Sequence, residues 1–340
     1  MRALPEACRL GGVCVHPGVA ALFVGSRRAA LLSRVPSHTL SAMIPTSESD
    51  KDADCSCEKR RRAMNEKLPD LIEGERIFFQ KVFERQSRAT MEMREQWRSE
   101  TILQRRRRVS SEIYDLLGGV VKYGPFKGLS LAKNNWWGGG DFGSMLLGLY
   151  ENEVLDFLFS ERLDGFESFV DVGAADGYYA IGMLRSGRVK NAVCFELSEE
   201  GQRTIASNAE SNSVSDRIEI FGAADRLFYE KLSHLDLAKT VVLVDAEGAE
   251  FEIFDDDSLA ALKQATIVIE IHNWVEDFWD KYTRFLTSAA ALFNVEFIAP
   301  AVRDLTQFPE LNDFTDDNRY LICSEGRPNV MRFMILTSKG

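Results

Sequence analysis

Short apolar runs alternate with segments of helical spacing over the second half of the chain. Five runs are almost continuously apolar, which is typical of strands buried on both faces of a sheet; they cover residues 169–172, 192–196, 218–221, 241–244 and 267–271. Four segments between or after them have the spacing of helices and cover residues 177–186, 198–211, 249–263 and 275–292. This alternation predicts an open parallel sheet with helices on both faces.

The flanking segments extend this pattern in both directions. Residues 295–298 and 331–336 predict two more strands, with a helix at 316–323 between them. Upstream, a helix is expected to begin at Tyr150 and to end near Gly165, and residues 122–128 indicate a short strand with a turn. We therefore predict one α/β domain over residues 119–340.

Residues 67–118 contain little Gly or Pro and predict a helical extension of one or two helices. The heptad pattern fails at Gln86 and Thr90, so a coiled coil is not expected. A homodimer contact through these helices stays an alternative. The four arginines at 105–108 indicate a solvated helix face, with binding to nucleic acid or to an acidic partner as the alternative.

Residues 1–66 are predicted to form a disordered basic leader and linker. The first 45 residues carry five arginines against one acidic residue, and the apolar run 19–24 is too short for a signal-peptide core. Two alternatives stay open, namely an organellar transit peptide and translation from Met43 or Met64. We expect a cytoplasmic protein, with organellar targeting left open.

Charge is divided unevenly along the 340 residues, whose net charge is -11. Residues 1–118 carry 21 Lys and Arg against 16 Asp and Glu, whereas residues 119–340 carry 20 against 36. So acidic a domain would repel a phosphate backbone, which disfavours nucleic acid as its substrate. No apolar run approaches membrane-spanning length. The six cysteines lack the paired C-x2-C spacing of a zinc site, so free thiols are expected.

A turn of small residues follows the first predicted strand, with the sequence Asp171-Val172-Gly173-Ala174-Ala175-Asp176-Gly177. Gly and Ala let backbone N–H groups approach a ligand at a helix N-terminus, where negative charge is favoured. The dinucleotide pattern G-x-G-x-x-G would need glycine at positions 175 and 178, which are Ala175 and Tyr178 here. The turn therefore predicts an adenosine-type ligand and argues against NAD.

The second predicted strand ends in a carboxylate, Glu196, 19 residues after Gly177. A carboxylate at that strand end can accept hydrogen bonds from both ribose hydroxyls. NAD enzymes and S-adenosylmethionine enzymes share this feature, so Glu196 supports an adenosine ligand without choosing between them.

The fourth predicted strand ends in D-A-E-G-A-E, Asp245 to Glu250, and continues into a helix. With D-x-G-x-A-x-G at 171–177 and Glu196, this stretch resembles the FkbM-type methyltransferases, a class I family that uses S-adenosylmethionine. The resemblance covers roughly residues 124–340, and residues 324–328 resemble a late segment of some members. Residues 1–118 have no counterpart in it.

The resemblance implies a Rossmann-like sheet of seven strands in the order 3-2-1-4-5-7-6, with only the seventh antiparallel. It also implies S-adenosyl-L-methionine as cofactor and methyl transfer, usually to an oxygen, here of a sugar, glycan or other small metabolite. Ala175 stands where many members have glycine, and alanine is tolerated there. By the family pattern the cofactor-binding residues are Asp171, Gly173, Ala175, Gly177, Glu196, Ala224, Asp225 and Asp245.

Transfer to an alcohol needs a general base near the carboxyl ends of the central strands. We predict His272 as this base, with Asp245 and Glu247 beside it; a hydrogen-bonded structural histidine is the alternative. Asp245, Glu270 and His272 form a set that could instead hold Mg²⁺ or Mn²⁺. The prediction is nevertheless that no metal is bound.

Several function classes are set aside or left open by the sequence. The fourth strand lacks the Pro-Pro pattern of amino-methylating nucleic-acid enzymes, and no Pro-Cys nucleophile is present, which disfavours N6-adenine and C5-cytosine methylation. The acceptor pocket is expected to come from loops 134–141 and 300–317. A nicotinamide-dependent oxidoreductase, and a catalytically silent cofactor-binding protein that recruits a partner through its N-terminal arm, are the two alternatives.

Overall fold

The structure is a computed structural model that describes residues 68–77, 79–80, 90–133, 137, 139–298, 303–327 and 331–339. The chain divides into two compact units, Met1–Pro69 and Asp70–Gly340. Of the first unit, only Leu68 and Pro69 are described, and both are helical. The predictions for residues 1–66 therefore lie outside the described residues.

Seven strands of the second unit form one sheet. They are β1 Ser168–Val172, β2 Asn191–Phe195, β3 Ile218–Phe221, β4 Thr240–Val244, β5 Thr266–Ile271, β6 Phe293–Ile298 and β7 Arg332–Ser338. Their order is β3-β2-β1-β4-β5-β7-β6. Strands β1 to β5 are parallel, and β7 is antiparallel to both β5 and β6. The predicted fold, strand order and antiparallel seventh strand are confirmed.

Burial on both faces explains why these strands are continuously apolar. Phe169 of β1 belongs to one buried cluster, whereas Val170 and Val172 belong to a second cluster. Because successive side chains of a strand point to opposite faces, the two clusters lie on opposite sides of the sheet. Every residue of β1, β4 and β5 is buried, so these central strands form the middle of the core.

Helices surround the sheet, and their bounds follow the predicted segments with two exceptions. The helix expected from Tyr150 to near Gly165 covers only Asn152–Leu158 and is followed by a separate 3₁₀ turn at Glu161–Leu163. The Ser198 side chain accepts hydrogen bonds from the backbone N–H groups of residues 200 and 201 and so caps the helix Glu199–Ser211 at its N-terminus. The segment 249–263 forms two short helices, because Phe254 is extended and Asp255 caps the second one. The helices are Met91–Ser99, Ile102–Leu117, Phe142–Leu146, Asn152–Leu158, Tyr178–Arg185, Glu199–Ser211, Glu250–Ile253, Asp256–Ala261, Phe278–Leu292 and Asp316–Ile322.

The helix Ile102–Leu117 packs into the core of the second unit. It begins with a capping box at Thr101 and ends at Gly118, which has a positive φ of 63°. Val109 and Ile113 on one face are fully buried and belong to the same cluster as Phe169. Two arginines of this helix, Arg106 and Arg107, line a cavity of the second unit that is described below.

The short strand predicted at 122–128 is wrong. The segment forms a turn whose flanks meet in a single bridge between Val120 and Ser130. Asn212 of the helix Glu199–Ser211 accepts a hydrogen bond from the backbone of Ser130 and donates one back. The side chain of Asn212 thus takes the place of a partner strand at this point. In the described part of the chain, no helix is long and apolar enough to cross a membrane.

Gly173→Ala is expected to destabilise the fold by about 3 kcal/mol or more, because a β-carbon there would lie 1.8 Å from the Asp245 carbonyl oxygen and φ is +86°. Gly187→Ala is the matched control, since it shares a positive φ of 73° but has no neighbour within 4 Å. The control should lose only about 1–2 kcal/mol. Urea unfolding of both variants measures the difference, and equal losses would contradict the close approach of the two chain segments.

Candidate functional site

The site lies at the carboxyl ends of β1 and β4, where the strand order reverses. In open α/β sheets this switch point leaves a crevice that binds ligands. Two adjoining cavities occupy it. The turn cavity lies among the 173–176 turn, Glu196 and Ala224, and the acidic cavity is lined by the carboxylates of Asp141, Glu151, Asp245, Glu247, Glu270 and Glu325.

Both cavities share four lining residues, Trp137, Tyr150, Asp245 and Glu247. Trp137 belongs to the loop 134–141 that was expected to help form the acceptor pocket; Trp136 and the neighbouring residues 134, 135 and 138 lie outside the described residues. Of the two loops expected to form the acceptor pocket, 134–141 lines the acidic cavity through Trp137, Gly140 and Asp141. No described residue of 300–317 lines it, whereas Glu325 to Arg327 do. A molecule in one cavity would therefore be in reach of a molecule in the other.

The turn after β1 is held against β2 by its backbone. The N–H groups of Gly173 and Ala174 both donate to the Phe195 carbonyl, at 2.9 and 3.1 Å. Gly173, Ala175 and Gly177 all have positive φ, and Gly177 precedes the helix Tyr178–Arg185. This conformation brings the 173–176 backbone to the cavity wall, while Gly177 itself shapes the turn behind it.

Asp171 lines the turn cavity although it is 3% exposed. Its Oδ2 accepts one hydrogen bond, from the Ala180 backbone N–H at 3.2 Å. Burial raises the pKa of this carboxyl to about 7, with further contributions from the charges of Asp245 and Glu196. A cationic group in the cavity would favour the charged form of Asp171, so this position suits an ammonium group of a ligand.

Glu196 is fixed from both sides. Its Oε1 accepts the Ser198 N–H at 2.7 Å and its Oε2 accepts the Ala175 N–H at 2.9 Å. Burial raises its pKa, although both backbone donors act in the opposite direction. The carboxylate therefore cannot swing away from the cavity, and each oxygen keeps acceptor capacity for a hydroxyl. This is the geometry expected for binding a pair of neighbouring hydroxyls.

Two predicted cofactor residues have different surroundings in the structure. Ala224 lines the turn cavity, in agreement with its predicted place. Asp225 does not line it; this exposed carboxylate instead accepts a hydrogen bond from the Leu227 N–H at 2.9 Å, inside its own turn. The reason is local, because an aspartate at the start of a turn satisfies the backbone two residues later.

His272 lies beneath the acidic cavity and is 1% exposed. Its Nε2 is 3.4 Å from Asp245 Oδ1, 3.6 Å from Glu270 Oε2 and 3.9 Å from Glu247 Oε2. Burial lowers the pKa of the imidazole, but contacts with the Asp245 and Glu250 carboxylates outweigh it and raise the pKa to about 10. The ring lines neither cavity. This placement does not favour the predicted role of His272 as a base that touches the acceptor.

The structure brings in residues that the sequence did not single out. Arg327 forms ion pairs with Glu151, Glu270 and Glu325 and lies in the wall of the acidic cavity. The only sequence signal was the resemblance of residues 324–328 to a family segment. Glu151 is 2% exposed, and its burial raises its pKa to about 8 despite Arg327.

Arg106 and Arg107 of the 105–108 run both line the acidic cavity, and Arg106 also forms an ion pair there. Arg106 Nη2 is 3.7 Å from Asp141 Oδ1, with both side chains 12% exposed. Arg105 and Arg108 bind Asn318, Glu100 and Glu112 outside the cavity. The arginines of this run therefore have different partners, because successive residues of a helix point in different directions.

Comparison with known proteins adds a resemblance in fold. No family and no curated protein matches the sequence. Among solved structures, a putative O-methyltransferase from Klebsiella pneumoniae is 12% identical with a TM-score of 0.37, covering 71% of this chain and 91% of that one. An O-methyltransferase from Bacillus cereus in complex with SAH is 15% identical with a TM-score of 0.38, covering 68% and 91%.

A third structure, precorrin-6y C5,15-methyltransferase from Geobacter metallireducens GS-15, is 13% identical with a TM-score of 0.38, covering 62% of this chain and 94% of that one. All three are methyltransferases by name. At these identities and TM-scores the likenesses carry no argument about activity, which has to come from the geometry of the site itself.

Asp171→Asn is expected to remove a pH-dependent loss of stability. The folded-state pKa of about 7 exceeds the ordinary 3.8, so the folded chain binds this proton more tightly than the unfolded chain does. Stability of the wild type should therefore fall, relative to the variant, as pH rises from about 4 to about 7. Urea unfolding of both chains over this range measures the difference. If the difference in free energy of unfolding between the two chains does not change with pH, or changes in favour of the wild type as pH rises, a buried and protonated Asp171 is contradicted.

Proposed function

We propose that this chain is an S-adenosylmethionine-dependent methyltransferase that methylates an oxygen of a small acceptor, such as a sugar or glycan. The observation that carries the proposal is Glu196, whose carboxylate is held by two backbone N–H groups at the wall of the turn cavity. Asp171, a buried acid suited to an ammonium group, lines the same cavity. A site for a ribose and a site for an ammonium group in one cavity suit a nucleoside that carries an amino acid.

The residues present fit this cofactor. Glu196 would accept the ribose hydroxyls, Asp171 would take the ammonium group, and Ala224 and the exposed Leu197 offer apolar surface to an adenine. Tyr178 contributes a buried hydroxyl that has no hydrogen-bond partner among the described residues. When bound, S-adenosylmethionine supplies a methyl group already activated on a sulfonium.

The acidic cavity argues against a nicotinamide dinucleotide. A second nucleotide would extend past the switch point toward β4 and β5. There its phosphate would meet Asp245, Glu247 and Glu270, whose charges repel it. Tyr178 adds a steric argument, since its buried ring packs edge-on against Phe126 and leaves no room for the close helix–strand approach that a glycine gives.

The acceptor would occupy the acidic cavity, where carboxylates can accept hydrogen bonds from several hydroxyls. Asp245 and Glu247 line both cavities, so they lie between cofactor and acceptor. Burial and the neighbouring Asp245 charge raise the pKa of Glu247, which suits it to receive a proton from a hydroxyl. The D-A-E-G-A-E stretch that provides both residues also supports an FkbM-type assignment.

S-adenosylhomocysteine is expected to raise the melting temperature of the wild-type chain, because it binds the folded state only. NAD at the same concentration should leave the melting temperature unchanged. Glu196→Gln should abolish the shift, since an amide nitrogen cannot accept a ribose hydroxyl. A thermal-shift titration with both ligands makes the comparison.

The matched control is Glu199→Gln, which changes an exposed glutamate three residues away that pairs with Arg203. It should keep the full shift. Stabilisation by NAD alone would overturn the proposed function. A shift that survives in Glu196→Gln would remove Glu196 from the ribose role.

A further inference from the structure

Three potential ligand side chains converge at the floor of the acidic cavity. Asp245 follows β4, and Glu270 and His272 lie at and just after the end of β5. The two strands are parallel neighbours with Val244 beside Ile269, so the register brings these residues together. One ligand atom from each of the three lies within 4.8 Å of the others.

Glu250 fixes the orientation of the imidazole from behind. Both of its oxygens lie 3.2 Å from His272 Nδ1, and Oε1 also accepts the His272 backbone N–H at 2.9 Å. The Glu250 carboxylate can only accept, so Nδ1 carries a proton toward it, and Nε2 faces Asp245 and Glu270. A metal ion at Nε2 would displace the proton that this nitrogen otherwise holds among the carboxylates. A carboxylate behind a histidine is the usual support of a metal-bound imidazole.

The second ring nitrogen of the imidazole, Nε2, lacks a hydrogen-bond partner among the described residues. The same is true of Asp245 Oδ1, and both atoms are buried. Their separation of 3.4 Å exceeds the ~2.7–3.2 Å of a hydrogen bond. Ligand atoms that each stand ~2.1 Å from one ion are separated by about 3–3.5 Å. The spacing therefore fits an ion between the two groups better than a shared proton.

Charge favours the same occupant. Asp245, Glu247 and Glu270 all lie within 4 Å of Nε2, and Arg327 pairs with Oε1 of Glu270, the oxygen turned away from the imidazole. Carboxylates this close repel one another unless a positive charge stands among them, and a divalent cation that displaces the Nε2 proton would supply it.

We propose that Asp245, Glu270 and His272 bind a divalent cation at the floor of the acidic cavity. Two carboxylates and one imidazole form a mixed oxygen and nitrogen set that suits Mn²⁺. Glu250 acts as the positioning residue that orients the imidazole. Glu247, 3.9 Å from Nε2 and half-exposed, stands at the rim where a further ligand would enter.

The role of the cation rests on the proposed function, whereas its binding does not. An acceptor hydroxyl beside the cation would lose its proton more readily, and Glu247 is placed to take that proton. The oxygen then forms a bond to the methyl carbon as the carbon–sulfur bond breaks, and the sulfur keeps the bonding pair. The sulfonium becomes a neutral thioether, so charge and atoms balance.

The test is a titration of the full EDTA-treated chain with MnCl₂, followed by the loss of the free Mn²⁺ paramagnetic resonance signal. One saturable ion per chain is expected, and pulsed spectra of the bound ion should show coupling to an imidazole ¹⁴N. No saturable binding, or a bound ion without nitrogen coupling, would overturn the site. Both measurements use the wild-type chain, so neither requires a variant to fold.

Glu270→Gln should weaken Mn²⁺ binding by at least about tenfold, and His272→Gln should do the same and abolish the ¹⁴N coupling. Asp141→Asn is the matched control, since it removes a carboxylate of the same cavity outside the cluster; His234→Ala controls for a surface histidine beside Glu219. Both controls should bind as the wild type does. Unchanged binding in Glu270→Gln and His272→Gln would overturn the assignment.

S-adenosylhomocysteine binding, measured on the same samples, separates this inference from the proposed function. Glu270 lines the acidic cavity but not the turn cavity, so Glu270→Gln should retain the thermal shift. Mn²⁺ binding in a chain that does not bind S-adenosylhomocysteine would support the cation site and refute the cofactor. The reverse result would refute the cation site alone.

Discussion

The close approach of β1 to β4 is the constraint on which the site depends. At Gly173 the chain leaving β1 lies so near the Asp245 carbonyl that no side chain fits between them. This contact places the end of β1 with Asp171, and the turn with Ala175, beside Asp245, the first residue of the D-A-E-G-A-E stretch. One cavity forms on the β2 side and another on the β5 side, with Asp245 common to both.

The two cavities adjoin but differ in the charged groups that line them. In the turn cavity, two backbone N–H groups hold the Glu196 carboxylate. Burial raises the pKa of Asp171 to about 7. In the acidic cavity, Arg327 pairs with Glu151, Glu270 and Glu325 and has no ion pair with Asp245 or Glu247, which lie beside His272 Nε2. A nucleoside with an ammonium group suits the first environment, and a cation with a hydroxylated acceptor suits the second.

The sequence predicted the sheet well because its strands are buried on both faces and therefore read as unbroken apolar runs. It also predicted Glu196 and Asp245, since residues that end parallel strands must share one edge of the sheet. It missed Arg106, Glu151 and Arg327, because their roles arise from contacts between segments far apart in the chain. The sequence singled out His272, but its burial and its contact with Glu250 depend on how two elements pack. This placement does not favour the expected role as a base and suits the proposed role as a cation ligand.

Anomalous diffraction from crystals grown with S-adenosylhomocysteine and MnCl₂ would show whether cofactor and cation occupy adjoining cavities at one switch point. We expect an anomalous peak at bonding distance from His272 Nε2, Asp245 and Glu270. We also expect the ribose on Glu196, with the sulfur facing the acidic cavity. A nucleoside bound elsewhere, or His272 Nε2 in direct contact with a carboxylate and no peak beside it, would contradict the account.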